Sequence, residues 1–184
     1  PPGGDYGDNV RRFTLLCRAA IGICARDGFK PDVVHCHDWP AALLPVLLKL
    51  RHGNAAELDG PASVLTVHNI GYQGIYPASE LVQTGIGYEH FTPTEFEYHG
   101  RINLLKAGLR YAHRINTVSP THLREILRHP DGMGLRPDLE ARRDALRGIL
   151  NGVDYREWNP SSDPLIPSPY SVDDMRGKLI CKTS

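Results

Sequence analysis

The chain has 184 residues, 41% of them hydrophobic and 23% charged, with 21 basic side chains balanced by 21 acidic ones. That is enough for one domain with a real core, and a formal charge of zero removes the electrostatic footprint of a nucleic-acid or anionic-membrane binder. No apolar run approaches the roughly 20 residues that cross a bilayer, so neither nucleic acid nor membrane is an expected partner.

The first residue is Pro1 rather than Met, and the last, Ser184, stands close behind a helical pattern, so the chain reads as a piece of a longer protein. No signal-peptide pattern opens it. Cys17, Cys24, Cys36 and Cys181 form no Cys-x-x-Cys pair and read as free thiols of a reducing cytoplasm. After a Gly- and Pro-containing loop at Pro1–Gly7, Asp8 stands where a helix cap is expected. Val10, Phe13, Cys17, Ala20 and Cys24 then recur at helical spacing, and Gly28 ends the helix. Asp32–His37 reads as a strand whose apolar start, Val33-Val34, is of the kind buried on both faces, and which changes abruptly into His35, Cys36, His37, Asp38 and Trp39. Asp38 sits at an N-cap position and Pro40 in a first turn of a helix running to about Arg51, which Pro45 should kink. His52–Pro61 is a polar loop.

Ser63–Val67 is the next strand, ending at His68-Asn69, and Gly71-Tyr72-Gln73-Gly74 follows as a loop whose two glycines permit close backbone approach to a ligand. Tyr76–His99 is a long irregular excursion with a short helix at Ala78–Gln83, and such loops are more often functional than idle. Arg101–Ala112 is predicted as one helix, within which Lys106 reads as a solvated or salt-bridged residue. Arg114–Val118 is a strand, Ser119 or Thr121 caps a helix to Leu127, and Asp131–Arg147 is a charged, mobile loop with a short helix. A last strand, Gly148–Leu150, ends at Asn151-Gly152-Val153-Asp154. A Pro/Ser-rich crossing at Asn159–Ser171 then leads to a terminal helix from near Val172.

Four strands separated mostly by helices favour parallel connections and an α/β fold with a Rossmann-like parallel sheet flanked by helices. Each strand stops at polar residues, and ligands of such sheets bind outside the carboxyl ends of the strands. Parallel pairing would therefore gather His37-Asp38, His68-Asn69, Ser119 and Asn151-Asp154 on one rim. Several of these residues carry competing readings. His35 and His37 fall on the same side of a strand, an arrangement found in metallohydrolases, but zinc would need a third ligand such as His68, His99 or Asp154. The plainer alternative is a packed histidine bonded to backbone. Asp38 is either an N-cap or a ligand group, and Asn151-Gly152 by itself is most simply a turn.

Five blocks in register, DNVRRF (Asp8–Phe13), PDVVHCHDW (Pro31–Trp39), TVHNIGYQG (Thr66–Gly74), LKAGLRYAHRINTVSPT (Leu105–Thr121) and GILNGVD (Gly148–Asp154), with YREWNPSSDPLIP (Tyr155–Pro167) after them, resemble the bacterial glycogen synthase and plant starch synthase family. The resemblance covers nearly the whole chain. It implies a GT-B glycosyltransferase that moves glucose from ADP-glucose to the non-reducing end of an α-1,4-glucan with retention, without a cofactor or bound metal, in a bacterial cytoplasm or a plant plastid. By that resemblance residues 1–184 are part of the N-terminal, acceptor-side domain, with 155–184 leading toward a C-terminal domain. The chain alone is expected to be inactive, and a homo-oligomer stays open. The family's Lys-x-Gly-Gly-Leu loop and C-terminal diphosphate clamp have no counterpart here, and Tyr6 does not inherit the role of the tyrosine that the family carries nearby. Carried over residue by residue, His68 matches the active-site histidine and Asp38 an acidic residue of the cleft. Asn151 matches an asparagine near the glucosyl unit, and Asn69, Gln73 and Asp154 are further candidate substrate contacts. The alternatives are another GT-B transferase with a different nucleotide-sugar donor, a metal-dependent hydrolase built on His35, His37 and Asp38, and a silent glucan-binding module.

Overall fold

The computed structural model describes residues 6–51, 53–128 and 130–184; most of the predicted opening loop and His52 lie outside them. The chain divides into two units, Pro1–Leu150 and Asn151–Ser184. In the first, helix α1 (Asn9–Arg26) precedes strand β1 (Val33–His37), the short helices α2 (Asp38–Ala41) and α3 (Leu43–Lys49), and strand β2 (Ala62–Val67). An excursion follows, with β3 (Ile75–Pro77), α4 (Leu81–Thr84), β4 (Glu97–Tyr98) and β5 (Arg101–Asn103). The unit closes with α5 (Leu104–Tyr111), β6 (Arg114–Thr117), α6 (Pro120–Ile126), α7 (Arg136–Ala141) and β7 (Leu146–Gly148).

Strands β1, β2, β6 and β7 form a four-stranded sheet in that order, every pair parallel. An order that steps steadily across the sheet, joined by right-handed crossovers, puts the connecting helices on one face. The register shows it. Cys36, Leu65, Ile115 and Leu146 are cross-strand partners in one row, and each is buried to within 3% of full closure. Each large aliphatic side chain in this row and in the Leu105 and Leu109 layer contributes about 1.5–3 kcal/mol of transfer free energy. The next row along the strands, His37, Thr66, Asn116 and Arg147, faces the other way and is polar. Because all strands run together, the ends of β1, β2, β6 and β7 share one rim, as the sequence pattern requires. The α/β expectation, a parallel sheet with packed helices, is met. No helix among the described residues is long and apolar enough to cross a membrane.

Several boundaries differ from the sequence expectation, each for a local reason. In α1 the buried residues are Val10, Thr14, Cys17 and Ile21 with Asn9, so the face is turned from the predicted one and Ala20 is exposed. Asp8 makes no side-chain cap bond there. The predicted helix from Pro40 breaks at Ala42 into α2 and α3. Pro45 explains the break, since it cannot bond back to the carbonyl four residues earlier. The predicted helix at Arg101 begins as a strand: β5 pairs antiparallel with β3 and β4, giving a second, three-stranded sheet inside the excursion. Asn103 then caps α5 by accepting from the Lys106 N–H. Strands of two and three residues carry no readable alternation, which is why the excursion looked irregular. The last strand lies two residues earlier than predicted, because Leu146 is the residue that reaches the core while Ile149 and Leu150 are exposed.

Lys106 is not solvated. It is 6% exposed, and its Nζ donates to the carbonyls of Pro93 at 2.6 Å and Glu97 at 2.7 Å, with the Asp138 carboxylate 3.9 Å away. Burial raises the Asp138 pKa despite the nearby ammonium. This one cation ties the excursion and α7 to α5. The four cysteines are free thiols, and burial pushes Cys17 and Cys36 up to about 12. In the second unit, helix α8 (Arg176–Thr183) starts a few residues later than expected, and Gly177 packs so tightly on the Pro169 carbonyl that a side chain would not fit.

Candidate functional site

The rim of the parallel sheet is built around residue 38. Asp38 has φ +55, a left-handed conformation that is rare outside glycine. The turn does not cap α2; His37 holds the cap position and no side-chain cap bond forms. Instead the Asp38 carboxylate crosses to the neighbouring strand end. Its Oδ1 accepts the backbone N–H of His68 at 2.7 Å and, more weakly, that of Asn69 at 3.5 Å. The expected N-cap role is thus replaced by a clasp between the ends of β1 and β2.

The loop after β2 is braced from below. Asn69 Oδ1 accepts the Gly71 N–H at 2.9 Å. Gln73 is 6% exposed. Its amide donates to the carbonyls of Ile70 and Met133 and accepts from Asn103 at 2.7 Å, so its polar atoms are committed to the protein. Gly74 has φ +64 and packs on the Trp39 indole, where an added Cβ would stand 2.5 Å from a ring carbon. Trp39 in turn meets Phe13 edge-on and Tyr76 at a tilt. The loop glycine is therefore required both by backbone conformation and by space.

The imidazoles form a line across the rim. His35 and His37 face the same side as expected, ring centroids 4.2 Å apart. His37 Nδ1 lies 3.0 Å from His68 Nε2. His35 Nε2 lies 2.6 Å from Thr66 Oγ1, and that hydroxyl donates to Asn116 Oδ1 at 2.7 Å. A hydroxyl that donates to Asn116 must accept from His35, which fixes the proton of His35 on Nε2. Burial, then the neighbouring His35 and His68, lower the His37 pKa, while Asp38 works in the opposite direction. His35, His37 and Asp38 are each spent on a different protein partner rather than aimed at one point. Among the described residues no group of three or more His, Cys, Asp or Glu side chains is arranged to hold a metal ion. His99, the other candidate third ligand, stands edge-on to Tyr98 at a centroid distance of 4.6 Å.

At the end of β6, Ser119 caps α6 by accepting from Thr121 and His122, with Pro120 in the first turn. Of the residues singled out from the sequence, the fold thus brings Asp38, His68 and Asn69 together and sets Gln73 beneath them. Asn151 and Asp154 belong to the second unit, where Asp154 accepts the Arg156 N–H at 2.9 Å and its carbonyl that of Trp158. Sequence reading did not assign Thr66 or Asn116 any part in the site. In the register Thr66 stands opposite His37 and Asn116 opposite Thr66, a row that links three strands and leaves no local signal in the sequence.

The chain matches the family model described as starch synthase catalytic domain over residues 1–141. It is 46% identical to glycogen synthase 2 of Geobacter metallireducens over 97% of this chain and 37% of that protein. It is 42% identical to glycogen synthase of Anaeromyxobacter sp. over 98% of this chain and 38% of that one. The chain therefore spans a little over a third of the length of these curated relatives. Among solved structures, the catalytic domain of starch synthase IV from Arabidopsis thaliana, bound to ADP and acarbose, matches with a TM-score of 0.78 at 33% identity, over 95% of this chain and 36% of that one. The parallel sheet, the clasped rim and a match across most of its length lead to one conclusion: this chain belongs to the starch synthase catalytic domain family, whose fold is GT-B.

Proposed function

We propose that the protein carrying this chain is a glycogen (starch) synthase, transferring glucose from ADP-glucose to the non-reducing end of an α-1,4-glucan with retention of configuration. In this reading residues 1–184 are the later part of the acceptor-side domain. The facing domain and the cations that meet the departing diphosphate are assigned to the rest of the protein, and the enzyme is assigned to a bacterial cytoplasm or a plant plastid.

The observation that carries the reading is the bond from the His68 N–H to the Asp38 carboxylate at 2.7 Å, at the carboxyl rim of a parallel sheet. It presents the exposed His68 ring from a braced loop rather than a mobile one. Glycosyl transfer needs the anomeric carbon and the acceptor hydroxyl held in line, and polar groups fixed where charge develops. His68 is assigned a hydrogen bond to the glucosyl unit as it takes on oxocarbenium character. Asp38 Oδ1 holds the loop and leaves its second oxygen for a sugar hydroxyl. Asn69, Asn151 and Asp154 are proposed as further sugar contacts, and Gln73 as the residue that holds the loop's base. The ADP and acarbose bound to the starch synthase IV domain support a nucleotide and a glucan as ligands.

The test is incorporation of labelled glucose into glycogen by the whole protein, with ADP-glucose and UDP-glucose compared. Transfer from ADP-glucose with retention supports the proposal. Hydrolysis without transfer, transfer only from another donor, or no incorporation contradicts it.

A further inference from the structure

The contact between His37 and His68 has a geometry that ring stacking does not explain. Their centroids are 5.2 Å apart and the planes differ by 28°, while Nδ1 of His37 and Nε2 of His68 are 3.0 Å apart. The centroid separation is about that nitrogen distance plus two ring radii. The rings therefore meet edge to edge and nearly coplanar, as an N–H···N hydrogen bond requires. Such a bond needs one protonated and one bare nitrogen, so it ties the tautomer of each ring to that of the other. His37 is itself held from the other side by the face of His35, whose proton is fixed by Thr66 and Asn116. Asp38 anchors the backbone of His68 directly beside the ring contact. Nδ1 of His68 is left without a protein partner among the described residues, on an exposed side chain.

We propose that His37 is a positioning residue for His68: it bonds Nε2 of His68, locks that ring in one tautomer and plane, and leaves Nδ1 as the nitrogen presented to substrate. The proposal rests on the role given to His68 above and deepens it. His37 itself touches no substrate in this account.

The experiment uses the whole protein labelled with ¹⁵N-histidine, the His68 signals being assigned by their loss in His68→Gln. The wild type should show one protonated and one bare ring nitrogen for His68, the signature of a single tautomer. Asparagine places an amide where Nδ1 stood, so His37→Asn should keep that signature, whereas His37→Phe should give the averaged shifts of interconverting tautomers. In the transfer assay His37→Phe should lower kcat by about ten- to a hundredfold with KM changed less than about twofold, and His37→Asn should recover most of the rate. Averaged His68 shifts in the wild type, or shifts unmoved by His37→Phe, overturn the lock. A lock that is present while His37→Phe turns over normally overturns the positioning role. If His68→Ala also turns over normally, the part assigned to His68 in transfer fails as well, and the two failures are told apart.

Discussion

Residue 38 offers a quantitative test of how the rim is held. Two opposing effects meet there. The left-handed backbone costs a residue with a Cβ about 1–2 kcal/mol, with aspartate and asparagine at the lower end. The half-exposed bond from the His68 N–H to the carboxylate returns about 1 kcal/mol, the low end for a charge-assisted contact. Asp38→Asn keeps an acceptor and the tolerance for positive φ, so it should lose less than about 1 kcal/mol. Asp38→Ala loses the bond and keeps the full strain, about 1.5–2 kcal/mol in all. Asp38→Gly loses the bond but relieves the strain. That relief is partly offset by the entropy of a more flexible unfolded chain, so the net loss is about 1 kcal/mol. Urea unfolding at constant m-value reads the series, and the expected order of stability is Asp, Asn, Gly, Ala. An alanine variant as stable as the wild type, or a glycine variant no better than alanine, would refute the reasoning.

Gly74→Ala should cost about 2–4 kcal/mol, combining left-handed strain with a clash against Trp39, and should change the Trp39 fluorescence; a neutral substitution would show that the loop does not press on the indole. Lys106→Met should leave the Pro93 and Glu97 carbonyls unpaired at a cost of about 2–4 kcal/mol, and hydrogen exchange should quicken across residues 93–98; unchanged exchange there would remove the lysine as a clamp. The His37 pKa lies below its ordinary 6.5, so the folded state binds its proton less readily than the unfolded state. Its stabilisation is present above about pH 6.5 and lost as pH falls through the lowered value. Unfolding midpoints should therefore drop as pH falls below about 6.5, above the range in which ordinary carboxylates titrate, and His37→Asn should flatten that slope; an equal slope in the variant contradicts the assignment.

The parallel sheet was legible in the sequence because each strand is a short apolar run that stops at polar residues, Val33-Val34 before His37-Asp38 and Ser63–Val67 before His68-Asn69; the burial it suggested holds for Leu65 and Val67, while in β1 Val33 is exposed and Cys36 is the residue that reaches the core. Asp38 and His68 were legible as rim residues for the same reason. What the rim does with them was not. A carboxylate before a proline-containing turn looks like a cap, and only the positive φ at Asp38 sends it across to β2 instead. The antiparallel sheet of the excursion was hidden because its strands are too short for alternation, and Lys106, in the helix that follows, looked like a surface residue although it holds the carbonyls of Pro93 and Glu97. Gln73 was a candidate substrate contact through the family resemblance, in a two-glycine loop that allows close backbone approach. The structure commits its amide to Ile70, Met133 and Asn103, two of them remote in sequence. Pairings across such separations leave no local pattern to read.

The central claim is that the clasped strand ends present His68 to the sugar being transferred. The most direct measurement is kcat for glucose incorporation from ADP-glucose into glycogen by the whole protein carrying His68→Ala. Loss of one pre-organised polar group at the reacting centre should lower it by about 10²-fold or more. A rate close to that of the wild type would take His68 out of the site and contradict the account.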